Sequence, residues 1–476
     1  MKHPWTSAAT NCSIRQVKTP GITQAGLDAF TVAMLPGAHG RSCERHLSFA
    51  ERFQLSDLGG AIVSNVGTWM QRIAQGWLVL TQLTHNNATA MGVVMALQFG
   101  PHLLLLPLTG FAADHLERRK LLIGTQAAMG TLAFGLGILT ITGLVQLWHV
   151  YLFAFLLGCV TAFDSPARHT FVSELVGEAD LSNAVALNST SFNAARMIGP
   201  AIAGTLIASV GSGWVFLINA ASFVAVLCSL VLLRVSELHV QSRAFRTRGS
   251  FAAGFRYVWK RPDLKAILLM LFLIATFGLN FQIFISTMSV TVFHAGASQY
   301  GFLTSVMAIG TVAGALLAAE REKPHFALLL VGAVIFGFGC ALAAVMPNAW
   351  LFGIALVIIG ASALTFTNST NSLMQLSTEP VMRGRVMAIR LAIAMGCTPI
   401  GAPIVGWVAD RFGPRWALGI GAASSFAAAI VGIHHLVKYS GLSVCDAGHF
   451  GFSIDDGGPM TDSQRSDHRA KEQEAT

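Results

Sequence analysis

Runs of about twenty apolar residues recur along this chain, separated by short polar connections. A hydrocarbon core about 30 Å thick takes about 20 helical residues to cross. The pattern therefore predicts twelve spans, at 53–81, 90–113, 119–143, 147–167, 182–209, 212–234, 264–293, 299–319, 325–346, 349–373, 384–410 and 414–437. The expected fold is all-α and integral to the membrane. Frequent Gly and Pro blur the edges of each span by several residues.

Composition agrees with the pattern. Hydrophobic residues fill 53% of the 476 positions and charged residues 11%, against about 25% charged in an ordinary soluble domain. Basic residues in short loops set the orientation, because Lys and Arg stay on the cytoplasmic side. Arg118, Arg119 and Lys120, then Arg168, then Arg321 and Lys323, then Arg383 and Arg385 all fall on one face, together with the cluster from Arg234 to Lys265. Most of the opposite loops, near His85, Leu144, Ser212, Ala295 and Pro347, carry no Lys, Arg, Asp or Glu. Both termini are therefore expected in the cytoplasm, with Asp410, Arg411 and Arg415 as an exception on the wrong face. The net charge of +8 lies mostly in membrane-flanking loops, where lipid and insertion topology account for it and nucleic acid is not needed.

Residues 1–50 read as a disordered N-terminal extension without a cleaved-signal pattern. Residues 51–234 form a first six-helix bundle, 235–263 a cytoplasmic linker, 264–438 a second bundle, and 439–476 a disordered tail. In the linker, Phe251, Phe255 and Trp259 recur at four-residue spacing beside Arg256 and Lys260, which fits a helix lying in the membrane interface. The seven cysteines show no metal or redox spacing, and no metal or cofactor is expected.

The second bundle echoes the first at an offset of 202 residues: Gly199 with Gly401, Gly204 with Gly406, Gly211 with Gly413, Trp214 with Trp416. Such a duplication predicts two six-span halves of like build.

Between spans 2 and 3, the run from Gly110 to Lys120 packs five formal charges, including Asp114, into a chain that avoids charge. With its Gly, Asp and basic residues it resembles the signature loop of the major facilitator superfamily of transporters. The phrase from Thr68 to Val79, the segment Arg168 to Val176 and Arg383-Gly384-Arg385-Val386-Met387 are similar to the branch containing enterobactin and macrolide exporters. The resemblance covers about 52–438 and implies two pseudo-symmetric halves related by an axis along the membrane normal, with a substrate path between them. It implies that Asp114 engages the start of span 11, with Gly110, Arg118 and Arg119 completing a latch between the halves. Gly199, Pro200 and Gly204 look like the Gly-Pro motif of the family's exporters in span 5, where proline bends the helix and glycines permit close packing.

Polar groups inside spans are costly and face protein or a watery path. Asn65, Arg72, Gln98, Arg196, Asn280, Gln282, Asn368 and Arg390 are the candidates to line that path. The three arginines would give it a positive potential suited to acidic solutes. Asp57 and His102 are the candidates for proton coupling, although the arginine that the family's drug exporters often carry four residues before a glycine in span 4 is Ala154 here.

The expectation is a monomeric bacterial inner-membrane transporter, not an enzyme, that uses the proton gradient to export a small organic compound resembling a siderophore, a drug or an acid. Import, or solute sensing without translocation, are the alternatives. No GxxxxGK[ST] phosphate loop and no HExxH cluster is present, which argues against ATP drive and against a membrane-embedded metalloenzyme.

Overall fold

The computed structural model describes residues 62–106, 108–109, 112, 116–232, 251–319 and 326–439. Asp57, Gly110, Asp114, the extension at 1–50, most of the linker and all but the first residue of the tail lie outside them.

The described chain is helical, with short turns. Its helices are α1 (62–83), α2 (Ala88–Leu104), α3 (Arg118–Ile141), α4 (Leu147–Val210), α5 (Ser212–Leu232) and α6 (Phe251–Lys260). There follow α7 (Pro262–Val292), α8 (Ala297–Ala319), α9 (Phe326–Val345), α10 (Ala349–Leu376), α11 (Pro380–Phe412) and α12 (Pro414–Tyr439). Among the described residues, nine segments are long and apolar enough to cross a bilayer: α3, Leu147–Arg168 of α4, α5, and α7 to α12. The apolar α2 is shorter. The two remaining predicted spans fall on α1 and on the second part of α4.

The ends follow local chemistry. Asn87 and Asn348 cap α2 and α10, accepting the N–H of Ala90 at 2.8 Å and of Leu351 at 3.0 Å. Gly211 and Gly413, at φ +90° and +100°, end α4 and α11 in the left-handed region that a side chain would resist.

A loop was expected between residues 167 and 182, yet Leu147–Val210 is helical throughout its 64 residues. Between Arg168 and Ser189, Gly177 is the one strong helix breaker and proline is absent, so local propensity favours continuing. Gly158 packs on Gln98 of α2, Gly199 packs on Trp69 of α1, and Arg72 of α1 lies against Phe99. A straight helix would hold Gly158 and Gly199 about 60 Å apart, so α4 turns back on itself between its two packed parts.

The repeat is visible in backbone detail. Wide helical turns end α1 at Leu78–Leu83 and α7 at Met288–Val292. A histidine at positive φ follows each, His85 and His294. The same long-range bond closes each turn, from Asn86 N–H to the Leu80 carbonyl (2.7 Å) and from Ala295 N–H to the Ser289 carbonyl (2.8 Å). This register is 209 residues, whereas α4 and α10, capped by Gln146 and Asn348, stand 202 apart. Residues 62–232 and 262–439 are called the first and second halves below. The long interhelical contacts between them run along α2 with α11 and α4 with α8.

Inter-half seams and a candidate substrate site

The halves meet most closely toward the face that carries the sparsely charged loops. Gly301 of α8 lies against the Pro200 carbonyl and the Cα of Gly204 on α4; a Cβ on Gly301 would sit 2.9 Å from that Cα. On the other side of the molecule, Gly92 of α2 lies against Ala402 and Pro403 of α11, and Gly406 of α11 against Ala88 and Thr89. Gly199 does a different job, packing α4 on Trp69 within its own half, and its repeat mate Gly401 likewise packs α11 on Thr276 of α7. Glycine is needed at the two seams because backbone, which cannot move aside, occupies the place of a side chain.

A charge seals the α2–α11 seam. Asp410, near the end of α11, accepts the backbone N–H of Ala88 at 2.7 Å and of Thr89 at 2.8 Å, and the Thr89 hydroxyl as well. These are free donors at the first turn of α2, where the helix dipole also favours a carboxylate. The wrong-face charge thus has an acceptor's role across the halves. Arg415 caps too, donating to the Met346 carbonyl just beyond α9 at 3.4 Å.

Between the two seams, Leu78, Val79, Leu80, Ile283, Met288 and Tyr300 are fully buried. Trp77 stacks on Tyr300 with ring centroids 6.2 Å apart, and the Ser286 hydroxyl reaches the sulfur of Met91 at 3.1 Å. Side chains fill the space between the halves on this face.

Below the plug sits a cationic cluster. The Arg72 guanidinium lies 4.8 Å from the centre of the Trp69 ring and 6.0 Å from that of Phe99; the Arg196 guanidinium lies 5.6 Å from the same Trp69 ring. Phe192 meets Trp69 edge-on at 5.7 Å. Arg72 stands 11 residues before the end of α1, about 17 Å along its axis, close to the middle of a bilayer.

This architecture is shared with known transporters. A family described as transmembrane secretion effector matches residues 59–445. The chain belongs to that family, an efflux branch of the major facilitator superfamily. It is 26% identical over 352 residues to the staphyloferrin A transporter of Staphylococcus aureus, covering 73% of this chain and 87% of that one. It is 26% identical over 370 residues to the multidrug efflux pump Tap of Mycolicibacterium fortuitum (75% and 89%). It is also 26% identical over 364 residues to the enterobactin exporter of Shigella flexneri (75% and 84%). Its fold matches a bacterial homologue of the iron transporter ferroportin in an inward-facing state, with a TM-score of 0.66 at 13% identity over 81% of this chain and 98% of that one. The protein is a multi-pass membrane transporter and not an enzyme.

Within this secretion-effector fold the other sequence candidates take distinct places. Asn65 donates to the Ser191 hydroxyl at 3.3 Å, joining α1 to α4. Gln282 donates to the Arg72 carbonyl at 3.1 Å, a direct tie between the halves beside the cationic cluster. Asn280 is wholly buried where α7 breaks; its amide donates to the Thr276 carbonyl at 2.7 Å, and its side-chain oxygen has no partner. Gln98 is buried on α2, and His102, one turn on, lies 6.2 Å from the Phe99 ring. Asn368 is exposed on α10. Arg390 donates to the Thr367 carbonyl at 3.1 Å, tying α11 to α10 within the second half.

Of the signature-loop residues, Arg119 donates to the carbonyls of Leu230 and Val231, both at 2.9 Å, and so caps α5 within its own half. Arg118 opens α3, while the Gly110 and Asp114 of the expected latch lie outside the described residues. Asp164 is buried with Arg168 at 2.9 Å and accepts from Thr125 (2.8 Å) and Gln126 (2.7 Å); it braces α3 against α4. Gln71 and Asn219 form a further buried link between α1 and α5.

The sequence points to Arg72 and Arg196 but not to the Trp69 between them, nor to Tyr300, Gly301 or Asp410 as parts of a seam. A visible signal exists for Asp410: it is the acidic member of the group Asp410, Arg411 and Arg415, on a face whose other loops carry no charge.

Proposed function

We propose that this transporter exports a small organic compound from the cytoplasm of a bacterium by alternating access, and that the proton gradient drives it. The two halves rock about the cluster at Arg72, with the low-charge loops on the periplasmic face and both termini in the cytoplasm. The form described is then open toward the cytoplasm and closed toward the periplasm. The observation that supports this reading best is the distribution of ties: the Asp410 cap, the Gly301–Gly204 approach and the Tyr300 plug all lie on one side of the cluster. An exporter in this form can load its solute from the cytoplasm.

The outward form needs the opposite ties. Asp114 with Arg118 is the proposed latch for it, by likeness to the superfamily, and breaking the Asp410 cap is the step that releases the present form. Proton coupling falls to His102 or Asp57 in this scheme. The efflux relatives, named for siderophores and drugs, support export of a siderophore- or drug-like solute, and the arginines at Trp69 suit an acid-like one. The protein acts as a monomer in this reading, since each chain carries both halves.

The test is accumulation of a panel of siderophores, macrolides and organic acids in cells with and without the protein. At least one compound is expected to accumulate less with the protein present, and an uncoupler should erase the difference. Equal accumulation across the panel would count against export, and a difference that survives the uncoupler would count against proton drive.

A further inference from the structure

Two arginines share one indole near the middle of the membrane. Arg72 and Arg196 are both half-buried on membrane-embedded helices, and their guanidiniums approach Trp69 at 4.8 and 5.6 Å. Among the described residues neither has a carboxylate within ion-pair distance, and neither guanidinium makes a hydrogen bond. The described carboxylate deepest in the first half, Asp164, already serves Arg168, Thr125 and Gln126.

Cationic charge at this depth is expensive unless paired. The ring face offsets part of that cost, because an indole attracts a guanidinium electrostatically. It leaves the charges uncancelled, and two like charges at one ring repel each other. Among the described residues the cluster is electrostatically incomplete.

Nor does the fold require it. In the register set by the repeated turns and caps, Trp69, Arg72 and Arg196 correspond to Gly278, Phe281 and Thr398 of the second half. A purely architectural arginine pair would be expected in both copies of a duplicated fold. This one occurs in one copy, and it lies just beneath the plug that closes the path.

We propose that Trp69, Arg72 and Arg196 form the binding site for the acidic end of the transported solute, and that the solute is an organic anion with an apolar or aromatic body. Each planar guanidinium offers a fork of N–H donors that matches a carboxylate, sulfonate or phosphate. Phe99, beside Arg72, and Phe192, beside Trp69, provide a surface for the apolar body. The anion completes the charge, so the loaded site is favoured over the empty one. The role of this site rests on the transport reading above, but its chemistry does not.

The experiment is calorimetric titration of the full-length protein in detergent with 1-naphthoate, 1-naphthamide and 1-naphthylmethylammonium, three probes of similar shape and different charge. Naphthoate should bind at least about tenfold more tightly than the other two. Arg72→Gln and Arg196→Gln should each weaken naphthoate by about tenfold or more while leaving the amide unchanged, and Arg256→Gln, at an exposed position of α6, should change nothing. Size-exclusion and melting profiles verify folding; if Arg72→Gln does not fold, Arg196→Gln carries the comparison. Equal binding of the three probes, no binding of naphthoate, or undiminished naphthoate binding in the folded arginine variants would overturn the proposal.

Counterflow of naphthoate in proteoliposomes separates the two readings. Saturable, arginine-dependent binding without exchange would refute transport and leave the site standing. Exchange that ignores both arginine substitutions would refute the site and leave transport standing.

Discussion

Gly301→Leu is expected to reduce transport by about 100-fold while the protein still inserts and purifies. A Cβ at this position meets the Pro200 carbonyl and lies 2.9 Å from the Cα of Gly204, and neither backbone atom can swing away as a side chain would. Overpacking of this kind costs about 3 kcal/mol, and at about 1.4 kcal/mol per factor of ten that depopulates the closed seam by roughly 100-fold. The rest of the fold has no reason to fail, because the clash exists only while α4 and α8 touch. Gly301→Ala should give an intermediate loss. Initial rates of solute exchange in proteoliposomes check this; a leucine variant working at the wild-type rate would show that the α4–α8 approach is not part of the cycle.

Asp410→Ala should have the second-largest effect and the opposite structural signature, a seam that opens too easily. The carboxylate accepts two backbone N–H groups and one hydroxyl from the other half. Charge-assisted bonds of this type contribute about 2 kcal/mol together once water competes for the same groups, which is roughly a 30-fold shift in a two-state population. A reporter cysteine at Ser286, 1% exposed beneath the seam, should then react much faster with a membrane-impermeant maleimide added from the low-charge face. Asp410→Asn should fall between, since an amide keeps an acceptor oxygen but not the charge. Unchanged labelling in Asp410→Ala would remove the carboxylate from the gate.

Much of this architecture could be read from residue order. Long apolar runs locate the helices because each span must satisfy its own backbone in lipid, and Gly211 and Gly413 exposed the 202-residue register because both end a helix in a conformation that favours glycine. The register of the first helices was harder to see. It is 209 residues, and few side chains repeat there; what repeats is a wide turn and its closing hydrogen bond at Leu80 and Ser289, which is a backbone feature. Hydropathy also cannot report the break in α7 at Asn280 or the continuity of α4, since an apolar run reads alike whether its axis is straight, broken or bent back.

The candidate site was legible by residue type and not by arrangement. Costly charges such as Arg72 and Arg196 stand out in any apolar helix, but 124 residues separate them in sequence, and only packing reveals that Trp69 lies between both. Gln282 was visible as a polar residue in a span; that it grips the Arg72 carbonyl across the halves depends on the fold. Arg390 reads in the sequence like the other two arginines; the fold adds that it holds the Thr367 carbonyl and so ties two helices of the second half. Asp410 looked like a topology anomaly because the positive-inside pattern treats loop charges as address labels, whereas here a carboxylate completes a helix start.

Double electron–electron resonance with two spin-label pairs in a cysteine-free background reads the rocking of the halves itself. Leu144 and Pro347, both exposed on the low-charge face, report one end of the path. Lys120 and Val381, exposed on the basic face, report the other. Under turnover in nanodiscs the Leu144–Pro347 distance should lengthen as the Lys120–Val381 distance shortens, with two populations exchanging weight between the same limits. Distances that stay fixed while solute crosses, or that grow together, would contradict two halves rocking about the Arg72 cluster.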